Sequence, residues 1–235
     1  MLPRRLGRWD NTGTLRALGL AVCAGLVVSA SDGGHRVAAQ QSVLPEEFEK
    51  PKRHFKIDRP AELSDAAALT VYMRVIDDMT AGYRLSGDRS AGAYRTWRRY
   101  NETPYRSATH GQRFVNNYAN TLAKAYGRYE DAGDLPEGAV LAKDSFAVTV
   151  SGDVFSGPLF LMEKMPAGFD PKSRDWRYTM IMPDGSLFGR TKGDGSGRVE
   201  FCITCHESAG AENDHLFFVP KEHRVRIHSL QPQDE

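Results

Sequence analysis

Trp176-Arg177-Tyr178-Thr179-Met180-Ile181-Met182 sets Trp176, Tyr178, Met180 and Met182 in alternation with Arg177, Thr179 and Ile181. This is the two-residue period of a β-strand. Pro183-Asp184-Gly185 follows at once and ends it in a turn. Toward the N-terminus, Leu159 to Met165 is a short apolar run, Ala139 to Val150 is rich in strand formers, and Leu135-Pro136-Glu137-Gly138 is a turn ahead of it. Further back, Thr121 to Ala132 is helix-like and Arg113 to Tyr118 is short and extended. The links between the strands are too short for parallel crossovers, so the pattern predicts an antiparallel sheet.

Before Thr109 the period changes. Leu69, Tyr72, Met73, Ile76, Met79 and Tyr83 recur at three- and four-residue spacing behind Ser64, a candidate N-cap, with Gly82 near the end, which predicts an amphipathic helix. A shorter helix is predicted over Ala91 to Tyr100, with Tyr94 and Trp97 on one face packed against the domain. Up to about Arg59 the chain is polar and proline-containing, and it reads as an extended arm. The fold class is therefore α+β, a mainly antiparallel sheet domain over residues 111–235 with a helical N-terminal extension over residues 40–110.

Downstream of the strands lies Cys202-Ile203-Thr204-Cys205-His206. C-x-x-C-H is the attachment signature of a c-type haem: two sulfurs bond to the vinyl groups along one porphyrin edge, and the next residue brings an imidazole under the iron. A zinc site would need a fourth ligand, and the nearest candidate is His215. A thioredoxin-type redox pair would normally open a helix after a strand in a βαβ unit, and the sequence holds no such pattern.

The N-terminus points the same way. Arg4, Arg5, Arg8 and Arg16 precede an apolar run of 12 residues, Ala17 to Val28, and small-residue cleavage sites follow at Val28-Ser29-Ala30 or Val37-Ala38-Ala39. This predicts a cleaved export signal over residues 1–39 and a periplasmic or exported protein, and c-type haem is attached after export in bacteria. Cys23 would leave with the signal, so both remaining cysteines fall in the motif. Cleavage removes five arginines and two aspartates, leaving 26 basic against 28 acidic side chains. Nothing in that balance, or in the short basic runs at Lys50 to Arg53 and Arg95 to Arg99, predicts a nucleic-acid partner.

The motif's late position discriminates among cytochromes. Only 29 residues follow His206 and none is methionine, which excludes the downstream methionine ligand of small electron-transfer cytochromes. The strand pattern before the motif does not match the helical bundle of cytochromes c prime. One protein ligand and an open iron position remain, where small molecules bind or react.

With these residues in view the chain resembles cytochrome P-460 and its close relatives, the cytochromes c'-beta. The resemblance covers Arg113 to Pro220 and rests on the stretch from Leu135 to Lys143, the pair Lys164 and Trp176, Asp214 with Phe217, and the spacing from Lys143 to Cys202. It implies a mainly antiparallel, usually dimeric domain holding one five-coordinate haem c, with its iron, per chain. Cys202 and Cys205 match the thioether cysteines and His206 the proximal iron ligand. Lys143 matches the lysine whose amine bonds to a meso carbon of the porphyrin in the P-460 members. On the strand pattern alone Lys143 is a solvated lysine, because Val140, Ala142, Phe146 and Val148 form the more apolar face.

Hydroxylamine-oxidising members carry a distal carboxylate, for which Glu163 is the nearest candidate as acid or base. Counting back from Lys164 and Trp176 puts Phe160 at that place instead, as in relatives that bind nitric oxide, and leaves Glu163 to a surface ion pair. His110 and His215 are further candidates for distal or propionate contacts. The resemblance thus implies either an oxidoreductase acting on hydroxylamine or nitric oxide and passing electrons to a small soluble cytochrome, or a protein that only binds a diatomic gas or transfers electrons.

Overall fold

The computed structural model describes residues 59–225. The export signal and most of the N-terminal arm lie outside the described residues. Eight strands form one antiparallel sheet: β1 (Arg98–Arg99), β2 (Tyr105–Arg106), β3 (Phe114–Ala119), β4 (Val140–Val148), β5 (Val154–Ser156), β6 (Leu159–Lys164), β7 (Trp176–Ile181) and β8 (Leu187–Arg190). Their order is β1-β3-β4-β6-β7-β8, with β2 also on β3 and β5 also on β4. The expected α+β, mainly antiparallel fold is what the chain adopts. The alternating stretch that begins at Trp176 is β7, and a register shift between Met180 and Ile181 interrupts its pairing with β8.

The first helix, α1 (Asp65–Arg84), starts where Ser64 predicts. The Ser64 side chain accepts a hydrogen bond from the Ala67 backbone N–H at 3.3 Å, Asp65 lies in the first turn and Arg84 in the last, and both charges suit the helix dipole. Its buried stripe is Ala68, Tyr72, Ile76, Met79, Thr80 and Tyr83. Met73, expected on that stripe, is 61% exposed, because the helix is buried along one line only. Gly82 does more than mark the helix end: a Cβ there would lie 1.9 Å from the Pro183 carbonyl oxygen, so the missing side chain lets α1 press on the turn after β7.

The helix expected over Ala91 to Tyr100 is shorter. Arg89–Ala93 (α2) is capped by Asp88, a 3-10 turn follows at Tyr94–Thr96, and the chain then enters β1. The helix-like stretch Thr121–Asp131 is built of 3-10 turns interrupted at Ala123 and Tyr129, where φ is 56° at Tyr129.

Both faces of the sheet are covered, which explains its two separate cores. On one face α1 and Tyr94 pack against Phe114, Tyr118, Ala142, Phe146, Leu159, Leu161 and Ile181. On the other, Val115, Leu141, Met162, Trp176, Tyr178 and Met180 meet Cys202, Ile203, Leu216 and Val219 from the C-terminal segment. Burying each large apolar side chain stabilises the fold by about 1.5–3 kcal/mol.

The α1 face also holds a buried polar network centred on Asp144, which is 0% exposed. Its carboxylate accepts hydrogen bonds from Tyr72 Oη at 2.7 Å, Tyr94 Oη at 3.3 Å and Asn116 Nδ2 at 3.0 Å. Arg95 Nη1 reaches the hydroxyls of Tyr72 and Tyr118, both at 2.8 Å. Burial of polar groups is tolerated when each is hydrogen-bonded, and here the bonds stitch α1 and the segment after it to β3 and β4.

Candidate functional site

The C-x-x-C-H motif forms helix α3 (Glu200–Glu207), which follows a 3-10 turn at Ser196–Val199. Residues three and four apart share a helix face, so Cys202, Cys205 and His206 project together. Both cysteines are free. Burial pushes the Cys202 thiol up to about 12, and burial raises Cys205 as well, against the opposing pull of Lys143. A thioredoxin-type pair works through a thiolate of lowered pKa, so these thiols do not fit that chemistry. Among the described residues no group of three or more His, Cys, Asp or Glu side chains could hold a metal ion, which leaves the zinc alternative without a ligand set.

His206 is oriented by its surroundings. Its Nδ1 lies 2.9 Å from the His215 carbonyl oxygen; a carbonyl only accepts, so Nδ1 carries the proton and the neutral ring keeps its lone pair on Nε2. Tyr178 and Phe217 flank the ring, with centroids at 5.1 and 5.2 Å. His215 therefore enters the site through its backbone.

A pocket of about 590 Å³, including its mouth open to solvent, lies between α3 and the sheet. Cys202, His206, Tyr178, Phe217, Leu141, Met162, Lys143, Phe160 and His110 are among its walls. The strand pairing accounts for the gathering. Asn117 pairs with Lys143 and Lys143 with Phe160 across β3, β4 and β6, and Phe160 pairs with Met180 on β7. Neighbours in a cross-strand row share a face, so Lys143 and Phe160 both turn toward the motif helix. The His110 ring meets the Phe160 ring at a 4.9 Å centroid distance, and its Nδ1 lies 2.9 Å from Ser107 Oγ.

Glu163 is not brought to this pocket. It is three residues beyond Phe160, hence on the opposite face of β6, where it pairs with Arg177 in a separate polar groove with Asp88 and Arg190. The carboxylate expected beside the motif lies behind the sheet, in an ion pair with Arg177 and not with the neighbouring Lys164, which pairs with Asp214.

Lys143 makes no hydrogen bond or ion pair with another described residue, and burial lowers its pKa to about 8, opposed by the attraction of Cys205. Between about pH 8 and 10.5 folding therefore releases a proton that the unfolded lysine keeps. The cost of burying the ammonium is full below pH 8 and fades as pH rises toward the unfolded value. Lys143→Met in the haem-free chain will melt above the wild type at pH 7, and the gap will close between pH 8 and 10; thermal melts across that range check it.

The donor set and the pocket walls fit a haem. Two thiols and an imidazole share one helix face, and the Tyr178 hydroxyl is buried in the same pocket wall with no hydrogen-bond partner in the described structure. An orphaned buried donor is costly, and a large bound group with polar edges would supply what it lacks. Sequence reasoning missed Tyr178 because it appeared only as one apolar position in an alternating strand.

A family model described as Cytochrome P460 matches residues 92–218. The match begins just before β1 and ends after the His206 and Phe217 contact, so it takes in the whole sheet and leaves out α1. No curated protein matches the chain.

Proposed function

The chain belongs to the cytochrome P460 family of haem proteins, and on that premise we propose that it is an exported c-type cytochrome that binds small nitrogen species, nitric oxide foremost. One haem per chain would be held by thioether bonds to Cys202 and Cys205, with His206 Nε2 on the iron. The observation that carries this reading is the single pocket into which the motif helix, Lys143 and Phe160 all face. When bound, the haem supplies an iron centre that can take a small ligand and exchange electrons.

The remaining roles belong to the chain. The His215 carbonyl holds the His206 ring and raises its basicity. Phe160 and Met162 give the pocket apolar walls, which suit a small uncharged ligand. His110 offers the pocket an imidazole backed by the Ser107 hydroxyl. Lys143, with its pKa lowered to about 8, presents the neutral amine, the form able to bond to carbon, more often near neutral pH than an ordinary lysine does.

Lys143 also supports a second reading, oxidation of hydroxylamine or nitric oxide with electrons passed to a soluble acceptor. No carboxylate is found among the pocket-lining residues, so gas binding is preferred. Residues 1–39 would direct export, and a homodimer is the expected assembly from the family resemblance.

Full-length protein made with the haem-attachment machinery tests the proposal. Intact mass is expected to show one added haem that survives acid–acetone extraction, and nitric oxide should shift the visible spectrum. Complete extraction of the haem would overturn the covalent attachment. A cross-linked Lys143 peptide, together with reduction of a soluble acceptor on adding hydroxylamine, would replace gas binding by turnover.

A further inference from the structure

We propose that Asp214 is the positioning residue for His206, acting through the backbone of the Asp214-His215 turn; the inference rests on His206 being the iron ligand. Asp214 and His215 have φ values of 52° and 58°, two successive non-glycine residues in the left-handed region. That conformation is disfavoured for ordinary side chains and persists only when its surroundings impose it.

The surroundings here are specific. Asp214 is completely buried. Its Oδ1 accepts hydrogen bonds from Lys164 Nζ at 2.5 Å and Arg174 Nε at 3.2 Å, and Oδ2 accepts from the Leu135 backbone N–H at 3.0 Å. Its own carbonyl accepts from Trp176 Nε1 at 2.8 Å, and the Lys164 ammonium lies 4.9 Å from the Trp176 ring centre. The turn is thereby tied to β6, to β7 and to the loop before β4, and the next carbonyl along, that of His215, is aimed at His206 Nδ1.

An isolated loop carbonyl would swing and hydrogen-bond to water. Pinned from three directions, it selects the Nδ1-protonated tautomer and sets how strongly the ring donates to a metal. A backbone acceptor on a metal-bound histidine tunes ligand basicity in this way. The anchor residues Lys164, Trp176 and Asp214, none of which is among the pocket-lining residues, bear on His206 through this one carbonyl.

The test compares wild type, Asp214→Asn and Lys164→Met as full-length chains. Asparagine keeps the shape and the tolerance for left-handed φ but removes the charge. Without haem, side-chain nitrogen NMR reads the His206 tautomer. The ratio of Nδ1–H to Nε2–H should fall about fivefold, the equivalent of one ordinary hydrogen bond. With haem attached, weaker ring donation should raise the ratio of ferrous to ferric protein about fivefold at a fixed redox poise. Asp144→Asn, an equally buried carboxylate behind the sheet, should lower the melting temperature without moving the tautomer ratio.

A folded Asp214→Asn chain with an unchanged tautomer ratio would overturn the proposal. If that chain does not fold, Lys164→Met decides by the same reading. Should the wild type bind no haem, the ligand role of His206 falls, while the NMR comparison still answers for Asp214.

Discussion

On the proposed attachment through thioethers alone, replacing both Cys202 and Cys205 by serine will leave no acid-stable haem on the protein; haem that persists would point to a bond from Lys143. A thioether needs a sulfur nucleophile, and a hydroxyl does not substitute for it in adding to a vinyl group. Each single variant should keep one bond and so retain haem through acid–acetone extraction. The two sites will differ in their effect on the polypeptide. Cys202 is 7% exposed within the core cluster, so a serine hydroxyl there must be desolvated at a cost of about 1–3 kcal/mol. Cys205 is only half-buried, and its replacement should barely alter the melt. Intact mass and haem staining of denaturing gels measure the first effect, and thermal melts of the haem-free chains the second.

Asp144→Ala will be the most destabilising single change on the opposite face. It removes the shared acceptor of Tyr72, Tyr94 and Asn116, all of which donate to this carboxylate, and leaves the Asn116 amide unpaired and the two hydroxyls with only Tyr118 and a long contact to Thr80. Losing three hydrogen bonds to one buried acceptor costs about 3 kcal/mol, which for a domain of this size lowers the melting temperature by about 10 °C. The difference should depend on pH. Burial raises the Asp144 pKa above its ordinary value of 3.8, opposed by the bonds from Asn116 and Tyr72, so folding takes up a proton just above that value. The carboxyl contributes most below pH 3.8 and loses that share as pH climbs through its raised pKa. The gap between wild type and Asp144→Ala will therefore narrow with rising pH over the acidic range. A gap that widens instead would mean that the carboxylate, not the acid, is the favoured buried form.

Much of this architecture was legible in the residues. The alternation from Trp176, the turn at Pro183-Asp184-Gly185 and the cap at Ser64 each act locally, and each element forms where those signals stand. The motif helix was legible for the same reason, since three chemically distinctive residues lie within one and a half turns. What the sequence concealed depends on contacts distant along the chain. The face of β4 bearing Val140, Ala142, Phe146 and Val148 is the more apolar because α1 covers it, not because the other face meets water. Lys143 therefore looks like a solvated residue by pattern and lies instead in a pocket wall. Glu163 is three residues from Phe160, and on a strand that odd separation sets the two on opposite faces, so its nearness in sequence did not bring it to the pocket. Asp214 gave no local sign of its work, since its partners come from residues 135, 164, 174 and 176.

Lys143 and Asp144 are consecutive residues that face opposite sides of the same strand. A slip of β4 by one residue would turn the amine to the face of the tyrosine cluster and the carboxylate to the face of the pocket, misplacing both charges at once. The strand thus behaves as a reading frame. Its centre can accept substitutions of similar size, but a single-residue insertion or deletion between Leu141 and Phe146 would scramble the scaffold and the pocket together, whereas the hairpin tip around Ser151 could lengthen without altering either.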